Sequence, residues 1–253
     1  MHSETSFYDE LAPLYHLIYQ DWNASIERQG RQLAALIEAE WPNTARVVDV
    51  ACGIGTQALA LAERGYQVTA SDRSPGAIER ARQEAEKRHL PIRFSICDMR
   101  AAHAHHGSGF DIAICADNSL PHLLTNEDLL RALQQMRDCV RPGGGCLITV
   151  RDYAAEPRGQ NIVKPYGVRI DGAKRYLVFQ VWDFEHQYCN ITCYFVEENL
   201  ATGEVATRAM RSRYYAVSTT VLMELMSAAG FQNVRRLDEV FYQPVLIGSK
   251  SGG

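Results

Sequence analysis

Along the first 150 residues the apolar positions fall into two alternating patterns. Short, continuous or β-branched apolar runs at 47–50, 66–72, 92–97, 110–115 and 146–150 have the length and composition of buried strands. Between them, 58–64, 77–88 and 129–140 carry apolar residues at helical spacing, as does 26–40 ahead of the first strand. Strand and helix in strict alternation predict an α/β domain built on a parallel sheet. After residue 154 the pattern changes. The segments 174–184, 188–196 and 205–215 alternate in polarity and are separated by turn signals at Asp171-Gly172 and Thr202-Gly203, which predicts an antiparallel sheet. A helix over 218–229, stopped by Gly230, and an antiparallel pair at 231–238 and 241–248 then return to the main sheet. The expected division is an N-terminal helical lid (1–45), an α/β core (46–153), an antiparallel insertion (154–215) and a C-terminal helix and strand pair (216–253).

Composition narrows the function classes. A 253-residue chain can bury a substantial core. Its formal charge of −4 gives no general attraction to nucleic acid or anionic lipid. No apolar run approaches the ~20 residues of a membrane span, and the acidic, aromatic N-terminus does not resemble a signal peptide. The cysteine count, seven, is odd, and most sit in apolar contexts such as Ile114-Cys115-Ala116. This predicts reduced thiols in a cytoplasmic protein. Cys189-x-x-x-Cys193 lacks a second ligand pair. His103-Ala-His105-His106 has the residue types of a metal site, but it lies among Ala and Gly with no Cys or carboxylate partner in view. It is expected to be a surface loop, and no metal is predicted.

The chemistry concentrates at the end of the first strand. Asp49-Val-Ala-Cys-Gly-Ile-Gly-Thr56 places two glycines where the chain turns sharply, followed by a helix whose unpaired N–H groups face the same spot. Such a loop serves a nucleotide cofactor. Gly53-x-Gly55-x-x-Ala58, with Asp72 about 20 residues on, fits the dinucleotide fingerprint of an NAD-dependent oxidoreductase. Asp49 opposes that reading, because a carboxylate ahead of the loop repels a pyrophosphate but attracts a cationic ligand.

The run Val48-Asp-Val-Ala-Cys-Gly-Ile-Gly-Thr56 closely resembles motif I of class I S-adenosylmethionine (SAM) methyltransferases, with Ala51 in place of the usual first glycine. The resemblance implies a Rossmann-like fold with a seven-stranded, mostly parallel sheet, and SAM as cofactor. It implies cofactor contacts at Tyr15, Asp49, Ala51, Gly53, Gly55, Asp72, Arg73, Asp98, Met99 and Ala116. Asp98-Met99 matches the position that reads adenine, and Tyr8-Asp9-x-x-Ala12-x-x-Tyr15 is similar to the N-terminal segment of many small-molecule methyltransferases, in keeping with a lid.

Within that superfamily, Asn118-Ser-Leu-Pro-His-Leu123, Val150-Arg-Asp-Tyr153 and Arg213-Tyr-Tyr215 are similar to segments of the glycine and sarcosine N-methyltransferases. The resemblance implies that Arg151 grips an acceptor carboxylate, with Asn118 and Tyr215 near the nucleophile. Asp152 replaces that family's asparagine, and the insertion matches only in its sheet pattern. The expected partner is a small-molecule methyl acceptor, with no nucleic acid and no membrane. An amine needs no base, whereas a hydroxyl acceptor would call on His122 or His16. A SAM-binding protein without catalysis is the alternative of another class. The insertion sheet either pairs between subunits as a homo-oligomer or caps the pocket.

Overall fold

A computed structural model describes residues 4–252, so residues 1–3 of the expected N-terminal lid lie outside the described residues, as does Gly253. Two sheets organise the chain. The larger is built from β1 (Arg46–Asp49), β2 (Gln67–Asp72), β3 (Arg93–Ile96), β4 (Phe110–Cys115), β5 (Val140–Thr149), β10 (Gln232–Leu237) and β11 (Val245–Ser249). Its order is β10-β11-β5-β4-β1-β2-β3, parallel from β5 to β3 and antiparallel where β11 joins β5 and β10. This is the predicted seven-stranded, mostly parallel sheet. Its central strands are buried on both faces, as the continuous apolar runs require.

Helices cover the two faces. They are α2 (Trp22–Glu40), α3 (Thr56–Ala62), α4 (Pro75–Lys87), α5 (Ala102–His106), α6 (Asn126–Cys139) and α7 (Thr219–Ala228), with α1 (Glu4–Leu11) ahead of them. On one side Leu33, Ile37, Leu61 and Ile78 pack on Val47, Ile112 and Leu147. On the other, Leu129, Leu133, Met136 and Leu222 pack on Val48, Ala113 and Ile148. Side-chain caps set several helix starts: Asp21 accepts from Ala24 N–H, Ser74 from Ala77, Thr125 from Asp128 and Ser218 from Val221. The Thr125 cap starts α6 three residues before the apolar period begins, because a capped polar turn needs no buried face. Pro13 divides the N-terminal aromatic segment into α1 and a 3₁₀ turn at Tyr15–Ile18.

The second sheet is antiparallel, in the order β6 (Ile162–Asp171), β7 (Lys174–Glu185), β8 (Tyr188–Asn199), β9 (Val205–Tyr215). The expected three strands are therefore four. Pro165 and Gly167 obscured β6, and the structure accommodates them at a register shift in an edge strand. The sheet's inner face buries Tyr176, Val178, Phe195 and Met210 against Phe7, Leu11, Leu14 and Leu17. The N-terminal segment is thus held between the inserted sheet and the carboxyl ends of the parallel strands. No helix among the described residues is long and apolar enough to cross a membrane.

Candidate active site

The carboxyl ends of β1, β2 and β4 surround a cleft of about 720 Å³. Its floor is the loop after β1. Gly53 and Gly55 adopt φ of +53° and +93°, a left-handed backbone that favours glycine. A Cβ on Gly53 would lie 3.3 Å from the ring of Tyr15, so the segment above closes directly onto the loop. Asp72 braces the turn: Oδ2 accepts from Gly53 N–H (2.8 Å) and Oδ1 from Ser74 N–H (2.9 Å). Ser74, not Asp72, caps α4. Tyr15, Ala51, Gly53, Asp72, Arg73, Met99 and Ala116 line the cleft. Gly55 stands behind it as the N-cap of α3. Asp98 does not line the cleft; it precedes the cleft-lining Met99 and is bound by Arg73 and Arg100 at 3.3 and 2.7 Å. Burial opposes ionisation of Asp98, but the hydrogen bonds from Arg100 prevail and hold it below the usual carboxylate range.

Asp49 itself does not line the cleft; it ends β1 just before Val50 and Ala51, which do. It is buried to 1% exposure, and its Oδ1 accepts from Ala51 N–H at 3.2 Å. Its Oδ2 has no hydrogen-bond partner among the described residues. Burial, with a smaller push from Asp72, raises this carboxyl to about 7. An unpaired carboxylate oxygen in the interior is costly unless a ligand brings a donor or a positive charge. SAM offers both, in its ammonium and sulfonium groups, and the residues present fit it. The pyrophosphate of NAD would place like charge beside Asp49.

An aromatic roof encloses the cleft. Tyr8, Tyr15 and Tyr19 all line it, and Asp9 ties α1 to the start of α4 by accepting from Ser74 Oγ (2.5 Å) and Gly76 N–H (2.9 Å). The Tyr8 hydroxyl lies 2.6 Å from His122 Nε2 and 3.5 Å from the Tyr214 hydroxyl. Burial lowers His122 to about 3, so it is neutral, and Tyr8 keeps its proton and donates it to Nε2. His122 Nδ1 then has no partner among the described residues.

Asp117 divides this cleft from a second chamber of about 570 Å³; both have Tyr8, Tyr15 and Asp117 in their walls. Its two carboxylate oxygens accept from the hydroxyls of Tyr19 (2.8 Å) and Tyr242 (2.5 Å). Asp117 and Asn118 sit at φ +56° and +65°, a strained pair at the end of the central strand β4.

The three predicted acceptor residues fare differently. Asn118 and Arg151 line the second chamber. Asn118 is occupied as a brace, donating to Tyr153 Oη (2.9 Å) and accepting from Arg151 N–H (3.0 Å). The Arg151 guanidinium lies 4.7 Å over the Trp182 ring and binds Glu156 at 2.9 Å. Tyr215 points elsewhere, its hydroxyl donating to Asn126 (3.0 Å), while Tyr214 enters the chamber. The reason is the two-residue period of a strand: neighbours on β9 face opposite sides. His16 lies outside both cavities, 3.3 Å from Asp171, and so is poorly placed as a base.

Asp117, Tyr166, Gln180, Trp182 and Gln243 also border the chamber and were not singled out from sequence. Tyr166, Gln180 and Trp182 lie on the inserted strands β6 and β7 and Gln243 lies between β10 and β11, and no short motif marks them. Asp117 alone carried a signal, as a polar residue at the end of an apolar strand. The histidine-rich stretch at 103–106 also departs from expectation. It is part of α5, and the thiol of Cys97 lies beside His105 and His106.

Residues 47–144 match the family model described as a methyltransferase domain. A glycine/sarcosine N-methyltransferase of Parasynechococcus marenigrum is 31% identical over 144 residues, which is 57% of this chain and 50% of that protein. The chain thus spans about half the length of the curated relatives it matches. Among solved structures, DesVI from Streptomyces venezuelae superimposes with a TM-score of 0.80 over 99% of this chain and 100% of its own, at 16% identity. A SAM-bound amino pentose methyltransferase from Micromonospora echinaspora does so with a TM-score of 0.78 over 90% and 92%, at 17% identity. The fold is that of the class I SAM methyltransferases, and the motif stretch resembles the glycine/sarcosine enzymes, as expected from the sequence.

Proposed function

We propose that this protein transfers a methyl group from SAM to the amine nitrogen of a small, hydroxylated acceptor. The observation that carries the reading is the buried, unpaired Asp49 oxygen at the end of β1, next to the glycine-turned loop that lines the cleft. When bound, the cofactor supplies a methyl group already activated on a sulfonium. Asp49 and the loop N–H groups would hold its charged end. Asp72 would take the ribose hydroxyls, and Met99 with the Asp98 turn would take the adenine.

The chain's own residues then bind, align and exclude water. Proximity and orientation alone are worth up to roughly 7–11 kcal/mol of barrier. The tyrosine roof closes off solvent. Asp117 borders both cavities, and the lone pairs left on its tyrosine-bound oxygens would hold an acceptor amine's N–H in line with the cofactor. His122 is neutral, but its Nε2 is occupied by Tyr8, which suits a nucleophile that needs no dedicated base.

The surroundings of Arg151 favour one acceptor class. Its charge is already balanced by Glu156, which Lys164 also binds at 2.7 Å. An amino acid's carboxylate would have to displace that partner. Gln180 and Gln243, whose Oε1 atoms already accept from Trp182 (2.8 Å) and Thr149 (3.3 Å), and Tyr166 present neutral hydrogen-bonding groups instead, which suit the hydroxyls of an amino sugar. A glycine-like acceptor is the second reading, favoured by the place of Arg151 in the chamber wall.

The test is incubation with SAM and a panel of glycine, sarcosine and free or nucleotide-linked amino sugars, followed by mass spectrometry for an added methyl group on nitrogen. Methylation of amino sugars in preference to glycine supports the proposal. Transfer only to oxygen, or to glycine alone, overturns it in favour of an O-methyltransferase or of the second reading. Tight binding of S-adenosylhomocysteine without transfer to any acceptor class favours a non-catalytic SAM-binding protein. Binding of NADH alone removes the methyltransferase reading altogether.

A further inference from the structure

We infer that Cys97, His105 and His106 form a binding site for a zinc-class divalent cation, beside the adenine end of the cofactor cleft. One ligand atom from each of the three side chains lies within 4.8 Å of the other two. A thiol with two imidazoles is the donor set that Zn²⁺ takes, and it excludes the oxygen-seeking Mg²⁺ and Ca²⁺.

The two histidines are consecutive in α5, and consecutive helical side chains diverge by about 100°. Here the rings converge nonetheless, with centroids 4.7 Å apart and planes at 89°. An outer contact holds one of them: His106 Nε2 lies 2.9 Å from the hydroxyl of Ser71, a fully buried residue on β2. With Nε2–H donating to Ser71, Nδ1 carries the lone pair. This is the arrangement of a metal-bound histidine whose second nitrogen is fixed by a neighbour. Binding proceeds as Cys97–SH + M²⁺ → Cys97–S⁻–M²⁺ + H⁺, with no change of oxidation state. Solvent reaches the site through the exposed His105. Because Cys97 immediately precedes Asp98, the ion would tie α5 to the turn that borders the cofactor.

The test uses purified, reduced full-length protein freed of metal with a chelator. Zn²⁺ is titrated calorimetrically in two buffers of different ionisation enthalpy, and Co²⁺ is added as a spectroscopic probe. The expected results are one ion per chain, release of about one proton and a thiolate-to-cobalt charge-transfer band. Cys97→Ser should abolish that band and His105→Ala should weaken binding strongly. Ser71→Ala should weaken it roughly 10–100-fold. His103→Ala and Cys139→Ser should leave it unchanged. Absence of binding at about 100 µM overturns the inference. So does binding that survives both Cys97→Ser and His105→Ala. His105 is exposed, so its variant tests the site even if a change at the buried Cys97 impairs folding.

Discussion

Replacing Asp49 by asparagine should improve the fold and damage the cofactor site at once. In the ligand-free protein Asp49 titrates near 7, against 3.8 when exposed. Its pKa is raised on folding, so the folded state binds its proton more tightly. Stability is therefore highest below pH 4 as far as this group is concerned, and is lost as pH climbs from about 4 to 7. A rise of that size corresponds to about 4 kcal/mol as an upper bound, since each tenfold change in proton affinity is worth ~1.4 kcal/mol. The asparagine side chain keeps the acceptor for Ala51 N–H and never ionises. Ligand-free D49N should thus melt at a higher temperature than the parent at pH 8, with the difference fading at pH 5.

Cofactor binding has the opposite sign. A cationic ligand requires the ionised form, which makes up roughly one-tenth of the molecules at pH 6 and nine-tenths at pH 8. The Kd of S-adenosylhomocysteine should therefore tighten about tenfold over that interval. Losing a charge-assisted contact of about 1.5–3 kcal/mol should weaken binding by the variant roughly 10–150-fold at pH 8 and flatten its pH dependence. Calorimetric titration of both proteins at pH 6, 7 and 8, with thermal melts alongside, checks both arms. A pH-independent Kd in the parent, or variant affinity within twofold of it, would refute the placement of a cationic ligand at Asp49.

The remaining outcomes are expected on the same grounds. Gly53→Ala forces a side chain into left-handed backbone under the Tyr15 ring, and should cost about 1–2 kcal/mol of stability together with much of the cofactor affinity, measured by denaturant melts and titration. Asp117→Asn should raise the acceptor KM about tenfold or more while changing the Kd of S-adenosylhomocysteine little, as steady-state kinetics and calorimetry would show. His122, held neutral down to about 3, disfavours its proton in the folded state, so its contribution to stability falls as pH drops from 6.5 toward 3. His122→Gln should therefore lose less stability across that window in melts at successive pH values. Arg151→Ala should impair a carboxylate-bearing acceptor strongly and an amino sugar weakly, through KM in parallel assays.

The sequence by itself determined the core. Buried parallel strands must be continuously apolar, and a loop that turns against a ligand must hold glycine. The succession of strands from β1 to β5 and the glycine loop between Asp49 and Asp72 were therefore visible as local patterns. The C-terminal return to the sheet was legible for the same reason, although residues 241–244 stayed outside the strand and brought Tyr242 to Asp117.

Tertiary structure decided the second chamber. Its residues come from α1, the 3₁₀ turn after it, the loops after β4 and β5, the strands β6 to β9 and the segment before β11, and no interval along the chain encodes their meeting. It also decided which of two adjacent tyrosines faces inward, since a one-residue change of register reverses every side chain on a strand and the hydrophobic pattern of β9 is too weakly biased to fix it. Only the fold could bring Cys97 to His105 and His106, or set Glu156 against Arg151. Local patterns report which face of an element is buried, whereas a polar site is an encounter between elements, and its partners become known only when the chain has packed.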